Sequence, residues 1–242
     1  MSPLLYSSAE LVDWYDLVDP PGDHADEAAT FLAAFTRALG AAPATLLELG
    51  SGAGHAAVHL KRDVKCTLSD LSEPMLARSR ALNPECEHIL ADMRELRLGR
   101  EHDAVLVHDA IMYMLTEADL TAAVATAFLH TRPGGAAIFA PDCFLETLVE
   151  STETEGVHHA TRALHYLCWD WDPDPTDTTF VSEYVFLLRE GGQVRAIHDH
   201  HLQGVFPRAT WRRILTDAGF AVEPLARPIG DDELDEVFLC RR

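Results

Sequence analysis

Lysine and basic charge in general are scarce in this chain. Only two lysines, Lys61 and Lys65, stand among 19 basic residues, whereas 39 residues are acidic and the formal net charge is -20. A field of this sign repels the phosphates of nucleic acids and the headgroups of anionic lipids. We therefore expect neither a nucleic-acid partner nor a membrane partner.

Paired cysteines and targeting signals are missing as well. The five cysteines form no C-x-x-C pair, which argues against a disulfide framework and a thiolate zinc site. The first residues, MSPLLYSS, contain no basic region, and no run approaches the roughly 18 apolar residues that cross a bilayer. These absences predict a cytoplasmic protein without a metal site.

The composition that remains is typical of one soluble domain: 242 residues, of which 48% are hydrophobic and 24% charged. Residues 25–39, ADEAATFLAAFTRAL, carry apolar side chains at helical spacing and predict an amphipathic helix. The segment before it contains three aromatic residues and the turn DPPG, and we predict that it lies over the rest of the domain as a lid.

Strand and helix patterns alternate from residue 44 to residue 142. The apolar run ATLLEL ends in the glycine loop GSGAG, a helical HAAVHLKR follows, and KCTLSD forms the next strand pattern. The alternation continues to GGAAIFAPD and predicts a parallel sheet with helices on both faces.

The pattern changes at about residue 143. Three extended segments, ALHYLCWDWD, TTFVSEYVFLLRE and QVRAIHDHHLQGVF, are separated by proline and glycine turns and predict an antiparallel β meander. The helical PRATWRRILTDAGF and the strand patterns AVEPLA and EVFLCR then resume the first architecture. The meander is therefore an insertion in an α/β domain.

The glycine loop lies where a strand turns into a helix, so the backbone can approach a ligand closely. Its spacing, G-x-G-x-G from Gly50, differs from the G-x-G-x-x-G of a dinucleotide loop, and Glu48 before it disfavours a pyrophosphate. Asp70, at the end of the second strand, can accept both hydroxyls of a ribose, and Asp92 and Met93 offer polar and apolar contacts to a base. The order of these residues along successive strand ends favours a nucleoside ligand that carries a cationic or amine group.

The stretches LLELGSGAG, LSDLSEPMLARSR, ILADMRELRLG, HDAVLVHDAIMYM and RPGGAAIFAPD resemble the class I S-adenosylmethionine-dependent methyltransferases. Within that class the chain is similar to small-molecule enzymes, among them the amino-sugar N,N-dimethyltransferases. The resemblance implies a Rossmann-like, seven-stranded sheet, with S-adenosylmethionine as cofactor and S-adenosylhomocysteine as product. It divides the single domain 1–242 into a helical lid (1–40), a cofactor-binding core (41–142), the inserted meander (143–204) and the end of the core (205–242).

The resemblance also assigns residues to the cofactor. Tyr15 closes over the methionine carboxylate, Glu48 lies near the amino group, Asp70 holds the ribose, Asp92 reaches the adenine, and His108 neighbours the transferred methyl. The full set that the resemblance implies is Tyr15, Glu48, Gly50, Ser51, Gly52, Asp70, Leu71, Met75, Asp92, Met93 and His108.

The implied reaction is an in-line displacement that transfers the methyl group to nitrogen or oxygen of a small metabolite. His108 is either the general base or a packing residue beside the cofactor. The alternative functions are a cofactor-binding protein without methyl transfer and a dinucleotide-dependent oxidoreductase, which the glycine spacing disfavours.

The acceptor contacts are predicted to be Trp14, Tyr113, Trp169 and His200. The aromatic stripe from His165 to Trp171 either walls the acceptor pocket or packs in a core or dimer contact, and a homodimer is expected from the inserted sheet.

Several polar clusters are given plainer interpretations. His198 and His200 share one strand face, but no third metal ligand is set by spacing. His158 and His159 are predicted to lie in an exposed loop. The acidic residues near the end of the chain are predicted to form a surface turn, and the clustered cations that could meet an anionic substrate are Arg208, Arg212 and Arg213.

Overall fold

The structure is a computed structural model that describes residues 3–228 and 234–242. Asp231, Asp232 and Glu233 of the predicted acidic surface turn lie outside these residues, and its other two members, Asp235 and Glu236, lie in the last strand rather than in a turn. The α-helices are α1 (Leu4–Ser7), α2 (Ala9–Val12), α3 (Tyr15–Val18), α4 (Ala25–Leu39), α5 (His55–Leu60), α6 (Glu73–Leu82), α7 (Glu117–His130) and α8 (Arg208–Asp217), with short 3-10 helices at Pro21–His24 and Ala110–Tyr113. The strands are β1 (Thr45–Leu49), β2 (Lys65–Asp70), β3 (Glu87–Leu90), β4 (His102–His108), β5 (Thr131–Ala140), β6 (Ser151–His158), β7 (Arg162–Trp171), β8 (Thr179–Glu190), β9 (Gln193–Gly204), β10 (Ala221–Pro228) and β11 (Leu234–Arg241).

Seven strands form one mixed sheet in the order β10-β11-β5-β4-β1-β2-β3. Strands β1 to β5 are parallel to one another, and β11 is antiparallel to both β5 and β10. The chain leaves β1 for β2 on one side and later returns to β4 on the other. Ligands of open α/β sheets bind at the carboxyl ends of the strands at such a reversal of strand order.

Helices cover both faces of this sheet, as the alternating pattern predicts. Helix α4 spans the predicted residues and buries Phe31 and Phe35 against one face, where α5 also packs. Helices α7 and α8 cover the other face, and Trp211 of α8 is buried there beside Phe238. The α/β architecture with an inserted antiparallel sheet is therefore confirmed.

The inserted sheet has four strands in the order β6-β7-β8-β9, and the prediction of three was wrong. Strand β6 pairs with β7 from Ser151 opposite Asp170 to His158 opposite Ala163, in the segment predicted to be an exposed loop. Almost every side chain of β6 is exposed, so the sequence carries no apolar alternation there. Pairing with β7, rather than burial, makes this segment a strand, and His158 Nε2 lies 2.8 Å from His165 Nε2.

The N-terminal segment packs between the inserted sheet and the cofactor end of the main sheet. Leu5 and Trp14 are buried with Leu164 and Phe186 of the inserted sheet. On the other side, the backbone oxygen of Tyr6 accepts a hydrogen bond from Ser72 Oγ at the start of α6. The segment therefore covers the strand ends. In the part of the chain that the structure describes, no helix is long and apolar enough to span a membrane.

Candidate functional site

A cavity of about 690 Å³ opens at the carboxyl ends of β1, β2, β3 and β4, beneath the N-terminal segment. All eleven residues that the sequence assigns to the cofactor line this cavity, and so does Tyr113. The cavity continues past His108 to a second group of side chains, which includes Tyr6, Asp109, Asp142, Tyr184 and His201. The predicted cofactor residues and this second group therefore share one cavity.

The glycine loop is held against the residues that follow β3 and β4. Gly50 has a φ of 80°, and a Cβ added there would lie 2.4 Å from the Cβ of Ala110 and 2.8 Å from Cε of Met93. A side chain at Gly50 would displace these neighbours, because both contacts are closer than Cβ atoms tolerate. The loop is therefore a tight cradle in which only glycine fits.

Asp70 braces the same loop from the end of β2. One carboxylate oxygen accepts the backbone N–H of Gly52 at 2.8 Å, and the other accepts the N–H of Ser72 at 2.7 Å. Burial raises the pKa of Asp70, and these backbone hydrogen bonds oppose that effect. The carboxylate is thereby fixed at the cavity wall, and each oxygen retains a lone pair for a ligand hydroxyl.

Glu48 supplies the strongest indication of a cationic ligand. Its side chain lines the cavity but is only 3% exposed, and Oε2 has no hydrogen-bond partner in the part of the chain that the structure describes. Burial raises the pKa of Glu48 to about 7. A buried acceptor without a partner fits a cofactor whose sulfonium and ammonium groups are both positive.

His108 is surrounded by carboxylates. Its Nε2 lies 2.7 Å from Oδ1 of Asp109 and 3.0 Å from Oε2 of Glu27, and Arg227 donates to Glu27 at 2.8 Å. Burial alone would lower the pKa of His108, but the two carboxylates outweigh it and raise that pKa well above its usual value. A histidine that holds its proton cannot accept another, so this geometry argues against His108 as the general base.

Two carboxylates face each other beyond His108. Asp109 has a φ of 39°. Within residues 3–228 and 234–242, no other residue except glycine has a positive φ. This strained backbone directs its side chain into the cavity beside Asp142, which follows the end of β5. His108 lowers the pKa of Asp109 against the effect of burial, whereas burial and the charge of Asp109 raise the pKa of Asp142.

The N-terminal segment closes the cavity with aromatic and charged groups. The Tyr15 ring stacks on His55, with 5.2 Å between the ring centroids. Asp19 accepts from His24 at 2.7 Å and from His55 at 3.2 Å, and these bonds lower its pKa although burial would raise it. Asp19, His24 and His55 are close enough to hold a metal ion, but the two histidines already bond to Asp19. The absence of a metal site stays a prediction.

Three of the four predicted acceptor contacts lie outside the cavity. Trp14 is 2% exposed and packs under the guanidinium of Arg162, which is 3.9 Å from its ring centroid. Trp169 stacks on Trp171 on the outer face of the inserted sheet, and His200 Nδ1 pairs with Glu183 at 2.8 Å on that same face. His201, the neighbour of His200 on β9, lines the cavity instead.

Sequence reasoning missed Tyr6, Asp142 and His201 as cavity residues. Asp142 could have been found, since it follows a parallel strand that neighbours β4 and must end at the same sheet edge. Tyr6 and His201 reach the cavity only through long-range packing. Arg208, Arg212 and Arg213 are paired with glutamates and do not line the cavity.

Comparisons with known proteins agree with this geometry. A family model described as a methyltransferase domain matches residues 46–135. A dTDP-3-amino-3,4,6-trideoxy-alpha-D-glucopyranose N,N-dimethyltransferase from Streptomyces venezuelae is 29% identical over 222 residues, which cover 88% of this chain and 91% of the relative.

Solved structures match over nearly the whole chain. DesVI from Streptomyces venezuelae has a TM-score of 0.86 at 28% identity and covers 94% of this chain and 96% of its own. CalS10, an amino pentose methyltransferase from Micromonospora echinaspora solved with S-adenosylmethionine, has a TM-score of 0.83 at 23% identity, with coverage of 94% and 96%.

The fold, the cavity and these matches together show that the chain is similar to the class I S-adenosylmethionine-dependent methyltransferases. It is an enzyme that uses S-adenosylmethionine as cofactor and transfers the methyl group to a small-molecule acceptor. The predicted fold, enzyme class and cofactor are therefore confirmed, and the oxidoreductase and non-enzymatic alternatives are not favoured.

Proposed function

We propose that the acceptor is an amine and that the methyl group is transferred to its nitrogen. The observation that carries the proposal is the second half of the cavity, where Asp109 and Asp142 face the rings of Tyr6, Tyr113 and Tyr184. Carboxylates pair with an ammonium group, and aromatic faces attract cations, including methylated amines. A neutral hydroxyl acceptor would gain little from two neighbouring carboxylates.

We propose that this amine belongs to an amino sugar. The curated relative is named for the dimethylation of a dTDP-linked amino sugar, and it spans most of this chain. We therefore propose two successive methylations of one amine. The first product is a secondary amine, which keeps its attraction to the acidic and aromatic wall and can react again.

The protein contributes mainly alignment and exclusion of water, because the bound cofactor supplies an already activated methyl group. We propose that Asp70 holds the ribose, that Glu48 faces the positive groups of the methionine part, and that Met75, Asp92 and Met93 surround the adenine. Tyr15, stacked on His55, would close the methionine end against solvent. The lid at 1–40 and the meander at 143–204 would then enclose the acceptor.

Whether the sugar is bound as a nucleotide diphosphate depends on the positive charges that line the cavity. Arg94 is the one arginine of the cavity lining within the described ranges, and it already bonds Asp92 at 2.6 Å and Asp119 at 2.6 Å. A diphosphate would have to compete with these carboxylates. The homodimer and the absence of a nucleic-acid partner stay predictions.

The test is methyl transfer to matched sugars. The protein is incubated with labelled S-adenosylmethionine and either dTDP-3-amino-3,4,6-trideoxy-α-D-glucopyranose, the same amino sugar without the nucleotide, or the dTDP sugar with a hydroxyl in place of the amine. We expect mono- and dimethylated amine products by mass spectrometry and none from the hydroxyl compound. Methylation of the hydroxyl compound alone would refute an amine acceptor.

A further inference from the structure

Three hydrogen-bonded side chains run from the cavity wall into the inserted sheet. The Tyr113 hydroxyl lies 2.9 Å from His201 Nδ1, and His201 Nε2 lies 3.0 Å from Oδ2 of Asp199. His201 is 1% exposed and Asp199 is 3% exposed, so neither group is in contact with bulk water. Tyr113 and His201 line the cavity, whereas Asp199 lies behind them.

The hydrogen bonds of Asp199 determine which atom donates and which accepts between these three side chains. Its carboxylate accepts the backbone N–H groups of Leu4 at 2.8 Å and Leu5 at 2.7 Å, in the first turn of α1. Burial would raise the pKa of Asp199, but His201 and these N–H groups outweigh it and lower the pKa. The ionised carboxylate can only accept, so His201 Nε2 must donate to it.

The remaining nitrogen of His201 is then an acceptor. A neutral imidazole carries one proton, and with that proton on Nε2 the Nδ1 atom accepts from the Tyr113 hydroxyl. The hydroxyl hydrogen thus points away from the cavity. The Tyr6 hydroxyl can then donate to one lone pair of the Tyr113 oxygen, and the other lone pair remains to accept an N–H group in the cavity.

Backbone contacts hold Tyr113 in this position. Its 3-10 helix begins at Ala110, whose Cβ touches the site where Gly50 lacks a side chain, so Tyr113 is fixed relative to the glycine loop. From the other side, a Cβ added to Gly204 would lie 2.0 Å from the carbonyl oxygen of Met114. The end of β9, which carries His201, therefore abuts the residue that follows Tyr113.

We propose that Tyr113, His201 and Asp199 form a relay that takes a proton from the acceptor's protonated amine, its ammonium group. The ammonium N–H bond breaks as a new O–H bond forms on Tyr113, while the original Tyr113 proton moves to His201 Nδ1. The resulting imidazolium is paired with Asp199, and the nitrogen lone pair is left free for methylation. The extra proton leaves His201 for water when the product departs and the cavity opens.

The same arrangement of carboxylate, imidazole and hydroxyl activates nucleophiles in hydrolases, where the carboxylate stabilises the imidazolium. Tyr113 and His201 are catalytic residues here, and Asp199 is a positioning residue that also anchors α1. The inference rests on the proposed amine acceptor. Its rivals are His108, which is already protonated, and Asp142, which lies close enough to influence the pKa of Tyr113.

Other titratable groups face the relay. Tyr6 of α1 meets the His201 ring at 5.5 Å and the Tyr113 ring at 5.9 Å, and Tyr184 of β8 meets His201 at 4.7 Å. Burial raises the pKa of Tyr6, of Tyr113 and of Tyr184. The tyrosines therefore stay protonated. The carboxyl groups near the relay are Asp199 beside His201, Asp142 near Tyr113 and Asp109 near Tyr6.

The test is the pH dependence of kcat/KM for Tyr113→Phe with the aminated dTDP sugar, compared with wild type. Without the relay only the free amine reacts, so the activity of the variant should rise about tenfold per pH unit up to the measured pKa of the acceptor amine. We expect a loss of about 100-fold or more at low pH, within the range of general-base catalysis, and a much smaller loss above that pKa. Asp199→Asn should show the same trend with a smaller loss.

The matched control is Tyr166→Phe on β7, whose hydroxyl bonds Glu153 at 3.1 Å outside the cavity. Its profile should match that of wild type, and all variants should keep wild-type affinity for S-adenosylmethionine by calorimetry. A loss in Tyr113→Phe that is equal at every pH would overturn the relay and leave only a positioning role. A pH-dependent loss in Asp142→Asn but not in Tyr113→Phe would assign the proton to Asp142. If wild type methylates no amine, the proposed function itself fails.

Discussion

Replacement of Glu48 by glutamine separates the stability of the free enzyme from its affinity for the cofactor. The carboxyl group is buried, and its pKa is raised from 4.5 to about 7. A group whose pKa is higher in the folded state stabilises the fold fully below its unfolded pKa. That stability is lost as the pH rises through the folded value.

The magnitude follows from the size of this shift. Between about pH 4.5 and pH 7 the unfolded state loses the Glu48 proton while the folded state retains it. At roughly 1.4 kcal/mol per pKa unit, the cost reaches about 3 kcal/mol above pH 7. Glu48→Gln avoids this cost, so without cofactor it should be more stable than wild type at pH 8 and equal to it near pH 4.5.

The affinity of Glu48→Gln for the cofactor should fall, although its stability without cofactor should rise. The variant lacks the negative charge that faces the sulfonium and ammonium groups, so its affinity for S-adenosylmethionine should fall by tenfold or more at pH 8. Wild type should also release a proton on binding near pH 6.5, because a bound cation lowers the pKa of Glu48.

Urea unfolding at three pH values and calorimetry in buffers of different ionisation enthalpy measure these effects. If the variant is less stable than wild type at pH 8, the assignment of Glu48 as a costly buried charge is wrong. If the variant keeps wild-type affinity, the carboxylate does not face the cofactor.

Three further substitutions test the packing around the site. Gly50→Ala should weaken S-adenosylmethionine binding by tenfold or more, because its Cβ would meet Ala110. The control Gly99→Ala has a similar φ of 66° but open space around its Cβ, so it should not weaken binding. Equal affinities of the two variants would contradict the tight loop. Trp14→Ala should lower the free energy of unfolding, measured in urea, by about 3 to 5 kcal/mol, since the indole is buried between α2 and the inserted sheet. If stability were unchanged and the KM for the acceptor rose, Trp14 would be a substrate contact after all. His200→Ala should keep methyl transfer within about twofold, as expected for an exposed side chain paired with Glu183; a larger loss would show that the outer face takes part.

The cofactor half of the site was predictable because its information is local. Glu48, Gly50 and Asp70 stand at the ends of strands that the hydrophobic pattern already predicts, and parallel strands end at one edge of a sheet. Each of these residues is positioned by its own strand and turn. Their meeting in one cavity follows from the order of the strands.

The acceptor half was not predictable in the same way. The two-residue period of β9 shows that His200 and His201 point to opposite faces, but only the packing of α1 and the main sheet determines which face is internal. Strand β6 lacks an apolar pattern altogether, because it is an exposed edge that exists through pairing with β7.

The sequence by itself determined the α/β class, the glycine loop, the acidic residues at the strand ends and hence a cofactor with positive charge. Only the tertiary structure joined Tyr113 to His201, which is 88 residues away, and bound the start of α1 to Asp199. The physical reason is that strand-end residues are placed by local periodicity, whereas contacts between distant segments depend on how the inserted sheet and the N-terminal segment pack on the core.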